Sequence, residues 1–395
     1  MSISELLQPL IQNYIIEKTG SDISKLALQK NPFPSIDFKI ILNQIELRTK
    51  SKDKLPTWFT TSNIIYPSKI SLEQTSSEIT AQYKATLVNG ESLIDLTGGF
   101  GVDDYYFSKK IKSVYHCEIN ADLSEIVAHN FNSFGSTNLK CFAEDSLEVL
   151  KKLNQKFDWM YIDPSRRNDA KGKVFMLKDC LPNVPELLET YFKYSNNILI
   201  KTAPILDITA GLSELQFVKT IHIIAIENEV KELLWEIENH YENSITIKTV
   251  NFNKNKKEIF EFESNANVIS DYSVPKKYLY EPNSAIMKSG GFSEIGKAFS
   301  LKKLHLHSHL YTSDQLADFP GRIFEINSQF VYSNGTMKSN FKNGKSNITT
   351  RNFPETVENI RKKWNIKEGG NQYSFFTTTI NDSKIVLLCT KINSK

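Results

Sequence analysis

Apolar residues recur at helical spacing in Ile3 to Ile16, Ile36 to Arg48 and Ser71 to Leu87, and the spacing predicts a helical N-terminal region over residues 1–85. From Ser92 the pattern changes. Short apolar runs at Leu93 to Asp95, Lys112 to Glu118, Asn138 to Phe142, Phe157 to Asp163, Ile198 to Lys201 and Ile221 to Glu227 alternate with helical stretches. That alternation predicts a parallel α/β sheet over residues 86–270. Ile245 to Phe252 and Glu258 to Phe262 predict a closing hairpin across Asn253 to Lys256. Asp271 to Pro275 reads as a boundary, followed by two small α+β modules at 271–325 and 326–395.

The first strand runs into Asp95-Leu96-Thr97-Gly98-Gly99-Phe100-Gly101-Val102-Asp103. Glycines without a Cβ let the backbone turn sharply and approach a ligand, and open α/β sheets bind ligands at strand carboxyl ends. A pyrophosphate-binding Gly-x-Gly-x-x-Gly is incomplete, because Asp104 stands where the third glycine belongs. The acids there suit a ligand carrying an ammonium and a sulfonium. Glu118 ends the second strand and can accept both hydroxyls of a ribose. Asp145 follows the third and can hold an adenine edge, or simply cap a helix starting at Ser146. The fourth strand breaks at Asp163-Pro164-Ser165-Arg166-Arg167, where proline ends the ladder. An unpaired acid at a buried strand end is costly, so Asp163 should face a ligand or pair with Arg166.

In this order of motifs the chain resembles the class I S-adenosylmethionine-dependent methyltransferases over about residues 70 to 265. More narrowly, it resembles the bacterial methyltransferases with a THUMP-like C-terminal domain. The resemblance to that group is carried by Leu72 to Ala81, Tyr278 to Ala285, Tyr311 to Asp314 and Pro320-Gly321-Arg322. It implies a Rossmann-like seven-stranded sheet, followed in sequence by small ferredoxin-like and THUMP-like α+β modules. It also implies S-adenosylmethionine held by Gln74, Thr75, Asp95, Thr97, Gly98, Gly99, Phe100, Gly101, Asp103, Glu118, Ile119, Asp145 and Ser146. Gln74 to Ser76 are expected to open a helix as well, Ser and Thr being natural caps. An RNA substrate, rRNA or tRNA, is the expected partner.

Charge locates the expected RNA contact. Residues 331 to 395 hold 11 Lys and Arg against 4 Asp and Glu, a balance of +7, which leaves −4 for the rest of a chain whose net is +3. Arg167, Lys342, Lys345, Arg351, Arg361, Lys362 and Lys363 are the candidate phosphate contacts, with Phe341, Phe353 and Trp364 interleaved as stacking surfaces. The plainer reading is a solvated helix face on Glu355 to Trp364.

Asp163, Arg166 and Lys201 are the candidate catalytic residues. No cysteine occupies the Asp-Pro turn, and Cys180 is expected on a helical stretch, which disfavours C5-pyrimidine methylation. Ser165 and Arg166 depart from the Asp/Asn-Pro-Pro-aromatic signature of many base N-methyltransferases. Base N-methylation is still the favoured expectation. Lys84, Asp163, Lys201 and Glu227 give the order of a ribose 2′-O-methyltransferase as an alternative, although Lys84 could face solvent. A binding protein that kept the fold and lost catalysis is the third reading. His305, His307 and His309 would share one face of a strand, with neighbouring lysines opposing a dication, so no metal is expected. Scattered cysteines, no apolar run of roughly 18 residues and no basic start at Met1 to Glu5 lead to the expectation of a cytoplasmic protein without a membrane partner.

Overall fold

The computed structural model describes residues 3–166, 176–254, 256–264, 266–341 and 344–392, without the side chain of Arg166. Two compact units emerge: 1–218 with 235–241, and 219–234 with 242–395.

The first unit is built on parallel strands β1 (Ser92–Asp95), β2 (Ser113–Cys117), β3 (Leu139–Phe142), β4 (Trp159–Ile162) and β5 (Asn197–Thr202). β1 pairs with both β2 and β4, β2 with β3, and β4 with β5. The order 3-2-1-4-5 reverses direction at β1, the switch point where such sheets bind ligands. Register sets Asp95 opposite His116 on one side and Tyr161 on the other. β4 is buried throughout, as expected of a strand covered on both faces.

The N-terminal region is helical as expected, but it is not separate. Trp58, fully buried, packs on Phe100, Tyr105 and Phe134. Gln44 bonds the backbone N–H and C=O of Tyr66, and Asn130 does the same for Ile65. Glu78 accepts from the backbone N and hydroxyl of Thr57 and from the Tyr106 hydroxyl. The 1–85 segment thus shares a core with the helices that flank β1 and β2.

Several local expectations are corrected. The helix expected from Ser71 to Leu87 is two: Lys69–Gln74 and Glu78–Ala85. Gln74 ends the first, and Ser77, not residues 74–76, caps the second by accepting from Thr80 N. Cys180 is buried in a two-residue strand, Cys180–Leu181, paired with Ser165–Arg166, instead of lying on a helix.

In the second unit, β6 (Val218–Ile226) lies parallel to β8 (Thr246–Phe252), which forms the expected hairpin with β9 (Lys257–Glu263). Between them in sequence runs β7 (Glu229–Glu238), which the pattern did not disclose, so the strands outnumber the seven expected. A second sheet of seven strands comes next: β10 (Tyr278–Pro282), β11 (Lys302–Lys303), β12 (Tyr311–Ser313), β13 (Gly321–Val331), β14 (Asn347–Arg351), β15 (Gln372–Thr378) and β16 (Lys384–Ile392). Its order is 11-12-10-13-16-15-14. β13 runs straight through position 325 and pairs with both β10 and β16. His305, His307 and His309 occupy a turn after β11, not a strand. His309 takes a positive φ and stacks on Phe292, with ring centroids 3.6 Å apart.

Candidate active site

The glycine turn is fixed from below. Gly98 N–H donates to Cys117 O at 2.8 Å and Gly101 N–H to Gly98 O at 2.9 Å. Gly99 and Gly101 have positive φ, and a Cβ on Gly101 would stand 2.6 Å from the Phe131 ring. A Cβ on Gly98 would meet the His116 ring at 2.2 Å, so this glycine is required by packing. Glu118 faces the same turn: its Oε2 accepts from Gly99 N at 3.1 Å and its Oε1 from Asn120 N at 2.7 Å. Those bonds set the carboxylate's orientation while leaving lone pairs for a diol. Ile119 beside it is 74% exposed, an apolar side chain available to cover a flat ring. Asp145 caps helix Ser146–Leu153, accepting from Leu147 N and Glu148 N, and is exposed.

At the other edge, Asp163 pairs with Lys201 of β5, where sequence reasoning offered Arg166. Asp163 N–H donates to Thr97 Oγ1 at 2.6 Å, and Thr97 in turn donates its backbone N–H (2.7 Å) and hydroxyl (3.1 Å) to Asp95 Oδ1. Thr97 therefore ties the Asp-Pro turn to the glycine turn. Asp163 keeps about a third of its side chain exposed, whereas Lys201 keeps 11%.

Sequence reasoning offered Asp95, Asp103 and Lys84 but missed the buried network they form behind the turn with Ser76, Tyr161, Asp104 and His116. Lys84 has no exposure and does not face solvent: its Nζ stands 3.0 Å from Asp103 Oδ1 and donates to Ser76 Oγ at 2.8 Å. Ser76 and Tyr161 hydroxyls donate to Asp103 Oδ2, each at 2.8 Å. Lys84 and Lys201 hold the Asp103 carboxyl below its usual range despite complete burial. Asp104 Oδ2 lies 2.6 Å from His116 Nδ1, both side chains wholly buried. Burial and neighbouring acids push Asp95 and Asp104 well above the usual carboxylate range, and burial lowers His116. The position of Lys84, in the last turn of a short helix, held no signal of this burial.

Gln74 is exposed at its helix end and Thr75 half-buried, while Thr97 and Asp103 join the network and Phe100 is core. Ser146 is half-buried at the start of its helix. Glu227 lies in an exposed turn with Asn228, both at positive φ, one residue past β6.

The basic segment differs from expectation in its aromatics. Phe341 is buried, and Phe353 and Trp364 pack on the cluster of Met337, Ile360 and Phe376, so none is a free stacking platform. Arg351 bonds Glu281, Lys363 bonds Glu355, and the Arg361 guanidinium reaches Ile366 O. Lys345 and Lys362 are both exposed. Arg167 and Lys342 lie outside the described residues. Among the described residues no helix is long and apolar enough to cross a membrane.

Residues 278–320 match a ferredoxin-like domain family, and residues 321–391 a THUMP domain-like family. No curated protein sequence matches the chain. The crystal structure named "putative methyltransferase from Porphyromonas gingivalis W83" is similar over 100% of both chains, at 28% identity and a TM-score of 0.87. TrmK of M. capricolum, bound to S-adenosylhomocysteine, covers 45% of this chain and 71% of its own at 18% identity and a TM-score of 0.32. An rRNA methylase from Streptococcus thermophilus covers 41% and 94% at 13% identity and a TM-score of 0.29. The chain thus has the fold of that crystal structure over its full length, with a ferredoxin-like and a THUMP-like domain after its first sheet in sequence.

Proposed function

We propose that this protein transfers a methyl group from S-adenosylmethionine to a nucleotide of structured RNA, rRNA or tRNA, and that a base nitrogen is the acceptor. The observation that carries the reading is the pair of acids at the switch point: Glu118, oriented by Gly99 N–H, and Asp163, bound to the same turn through Thr97. S-adenosylmethionine supplies the methyl group as a sulfonium leaving-group transfer. Glu118 receives the ribose, Gly98 to Gly101 allow close approach of the methionine portion, and Ile119 and Asp145 flank the adenine. Gln74, Thr75 and Ser146, each at a helix end, complete the proposed cofactor set.

Asp163 orients the acceptor and takes up its hydrogen-bonding edge, with Lys201 holding the carboxylate in place and Arg166 offering a planar cation to the nucleotide. Most of the rate comes from holding donor and acceptor in line. Lys201 bonded to Asp163 supports the second reading, a ribose hydroxyl deprotonated by that lysine, with Glu227 as its outlying member. RNA capture falls to Lys345 and Lys362, with Arg361 and Lys363 at their side. Arg167 and Lys342 belong to the same proposal, and Arg351 joins it with whatever capacity Glu281 leaves.

Single-turnover transfer of labelled methyl to total RNA tests the reading. Wild-type transfer that disappears in Asp163→Ala is expected, and the survival of Lys201→Ala activity distinguishes a base acceptor from a ribose one. Wild-type protein that binds cofactor yet labels no RNA overturns the proposal.

A further inference from the structure

The acids proposed for cofactor and acceptor stand at the ends of different strands, and one hydroxyl joins their supports. β1 and β4 run parallel with Asp95 opposite Tyr161, and their ladder ends where Leu96 N–H meets Tyr161 O at 3.0 Å. Past that point comes one more donor, Asp163 N–H, before Pro164, which has none. A backbone N–H can only donate, so Thr97 Oγ1, 2.6 Å away, is the acceptor. The hydroxyl's single proton is then left for Asp95 Oδ1 at 3.1 Å, which also takes Thr97 N–H at 2.7 Å. Asp95 is 1% exposed, so the anchor of this pair lies away from water. The resemblance assigned Thr97 to the cofactor; the structure spends its proton and one lone pair on the two aspartates. On its other side the chain enters the glycine turn at once. Gly98 N–H is held by Cys117 O, and Gly99 N–H by Glu118 Oε2. Asp163 is therefore held twice: its carboxylate by Lys201 and its main chain by Thr97.

We propose that Thr97 is a positioning residue that couples the two binding sites, so that cofactor and RNA bind with positive cooperativity. A cofactor seated on Gly98 to Gly101 and Glu118 fixes the turn, the turn fixes Thr97, and Thr97 fixes the main chain of Asp163. The inference rests on the methyl-transfer reading above and adds to it a link between the occupancies of its two sites. Such a link is reciprocal: RNA raises cofactor affinity by the factor by which cofactor raises RNA affinity. Only a hydroxyl meets both demands made on this side chain, because it accepts from one partner and donates to the other. Valine keeps threonine's shape with neither capacity, and it would leave Asp163 N–H without its partner. Serine keeps both.

Two measurements on the full chain test this. Calorimetry gives the affinity for S-adenosylhomocysteine with and without saturating total RNA. Wild type should bind it at least about fivefold more tightly when RNA is present. Thr97→Ser should keep that factor, and Thr97→Val should abolish it. Single-turnover transfer of labelled methyl to RNA is the second measurement. At saturating cofactor and RNA, Thr97→Val should be slower by about 10²-fold, the scale of a misplacement of about 1 Å, with the KM for S-adenosylmethionine near wild type. Thr97→Ser should restore the rate. A merely structural role would lower the thermal stability of Thr97→Val and leave its coupling factor and saturated rate at wild-type values. That result overturns the proposal, as does wild-type affinity indifferent to RNA. Should Thr97→Val not fold, amide hydrogen exchange of the wild type decides: Asp163 N–H should exchange more slowly once S-adenosylhomocysteine is bound, and an unchanged rate overturns the proposal. Wild type that binds no S-adenosylhomocysteine overturns the cofactor reading and this inference with it. Wild type that shows the coupling and the slowed exchange but transfers no methyl overturns the methyl-transfer reading alone.

Discussion

Two buried carboxylate clusters, one in each unit, handle their charge in opposite ways. In the second unit Glu281 is 3% exposed, and each oxygen meets a guanidinium: Arg322 at Oε2 and Arg351 at Oε1. The acid of β10 is thereby tied to β13 and β14, one from the ferredoxin-like stretch and two from the THUMP-like one. Both of its oxygens are taken. In the first unit Asp95 and Asp104 are as deeply buried, yet no lysine or arginine among the described residues pairs with them, and one Asp104 oxygen lacks a partner. A buried acid that two arginines satisfy holds strands together, whereas acids left short of partners beneath a glycine turn are suited to respond to a ligand. Asp163 stands between these cases, paired but a third exposed.

Asp163→Ala should have the largest effect, lowering single-turnover methyl transfer by about 10² to 10⁴ while RNA affinity stays near wild type. Retained transfer would move Asp163 into the same class as Glu281. Gly98→Ala drives a methyl into the His116 ring. Overpacking of this kind costs about 1–3 kcal/mol, and it should appear in thermal unfolding of the first unit together with weakened cofactor binding. Arg351→Ala leaves Glu281 to Arg322 alone. About 1.5–3 kcal/mol is expected from losing charge-assisted bonds, less in proportion to the guanidinium's exposure. Chemical denaturation should register the loss in the second unit, with cofactor affinity untouched.

The pH dependence should also separate the two clusters. Asp95 and Asp104 have native pKa values above their unfolded ones. Their contribution is complete below about pH 4 and is lost as pH rises towards the native values. His116 has the reverse sign: its native pKa is lowered, so its contribution is lost as pH falls below about 6.5. Asp104→Asn should therefore flatten the stability decline on the alkaline side, which urea titrations at several pH values would reveal. Lys362→Ala, on an exposed side chain, should produce the smallest change. It should lower the salt slope of RNA binding by about 1 without altering the transfer rate at saturating RNA.

Much of this was legible in the chain, for physical reasons that also explain the gaps. β1, β2, β4 and β5 are short apolar runs in a covered sheet, so their hydrophobicity alone marks them, and Gly, Asp-Pro and strand-end acids mark where they stop. β7 escaped because Leu233-Leu234-Trp235 is a continuous run among Glu and Lys, a pattern a helix shares. Trp235 is fully buried over Gly211 and donates to Thr202 Oγ1, a tertiary reason for its place. The site acids were found by their strand ends. Most of their partners were not: Tyr161, Asp104 and His116 lie within ordinary helix and strand text, and the burial of Lys84 was not foreseen, because strand register sets only Tyr161 and His116 beside Asp95, while Lys84 and Asp104 come from the helices Glu78–Ala85 and Val102–Phe107. In the basic segment, charge was visible, but a sequence does not say that Phe341 and Trp364 turn inward.

The account depends most on the switch point of the first unit being the cofactor site. Calorimetric titration of S-adenosylmethionine into wild type and Glu118→Ala tests that claim directly. Glu118 would give up two charge-assisted hydrogen bonds of about 1.5–3 kcal/mol each, so the account predicts binding by wild type and a fall of at least about tenfold in the variant. Equal affinity of the two proteins, or no binding by the wild type, would contradict it.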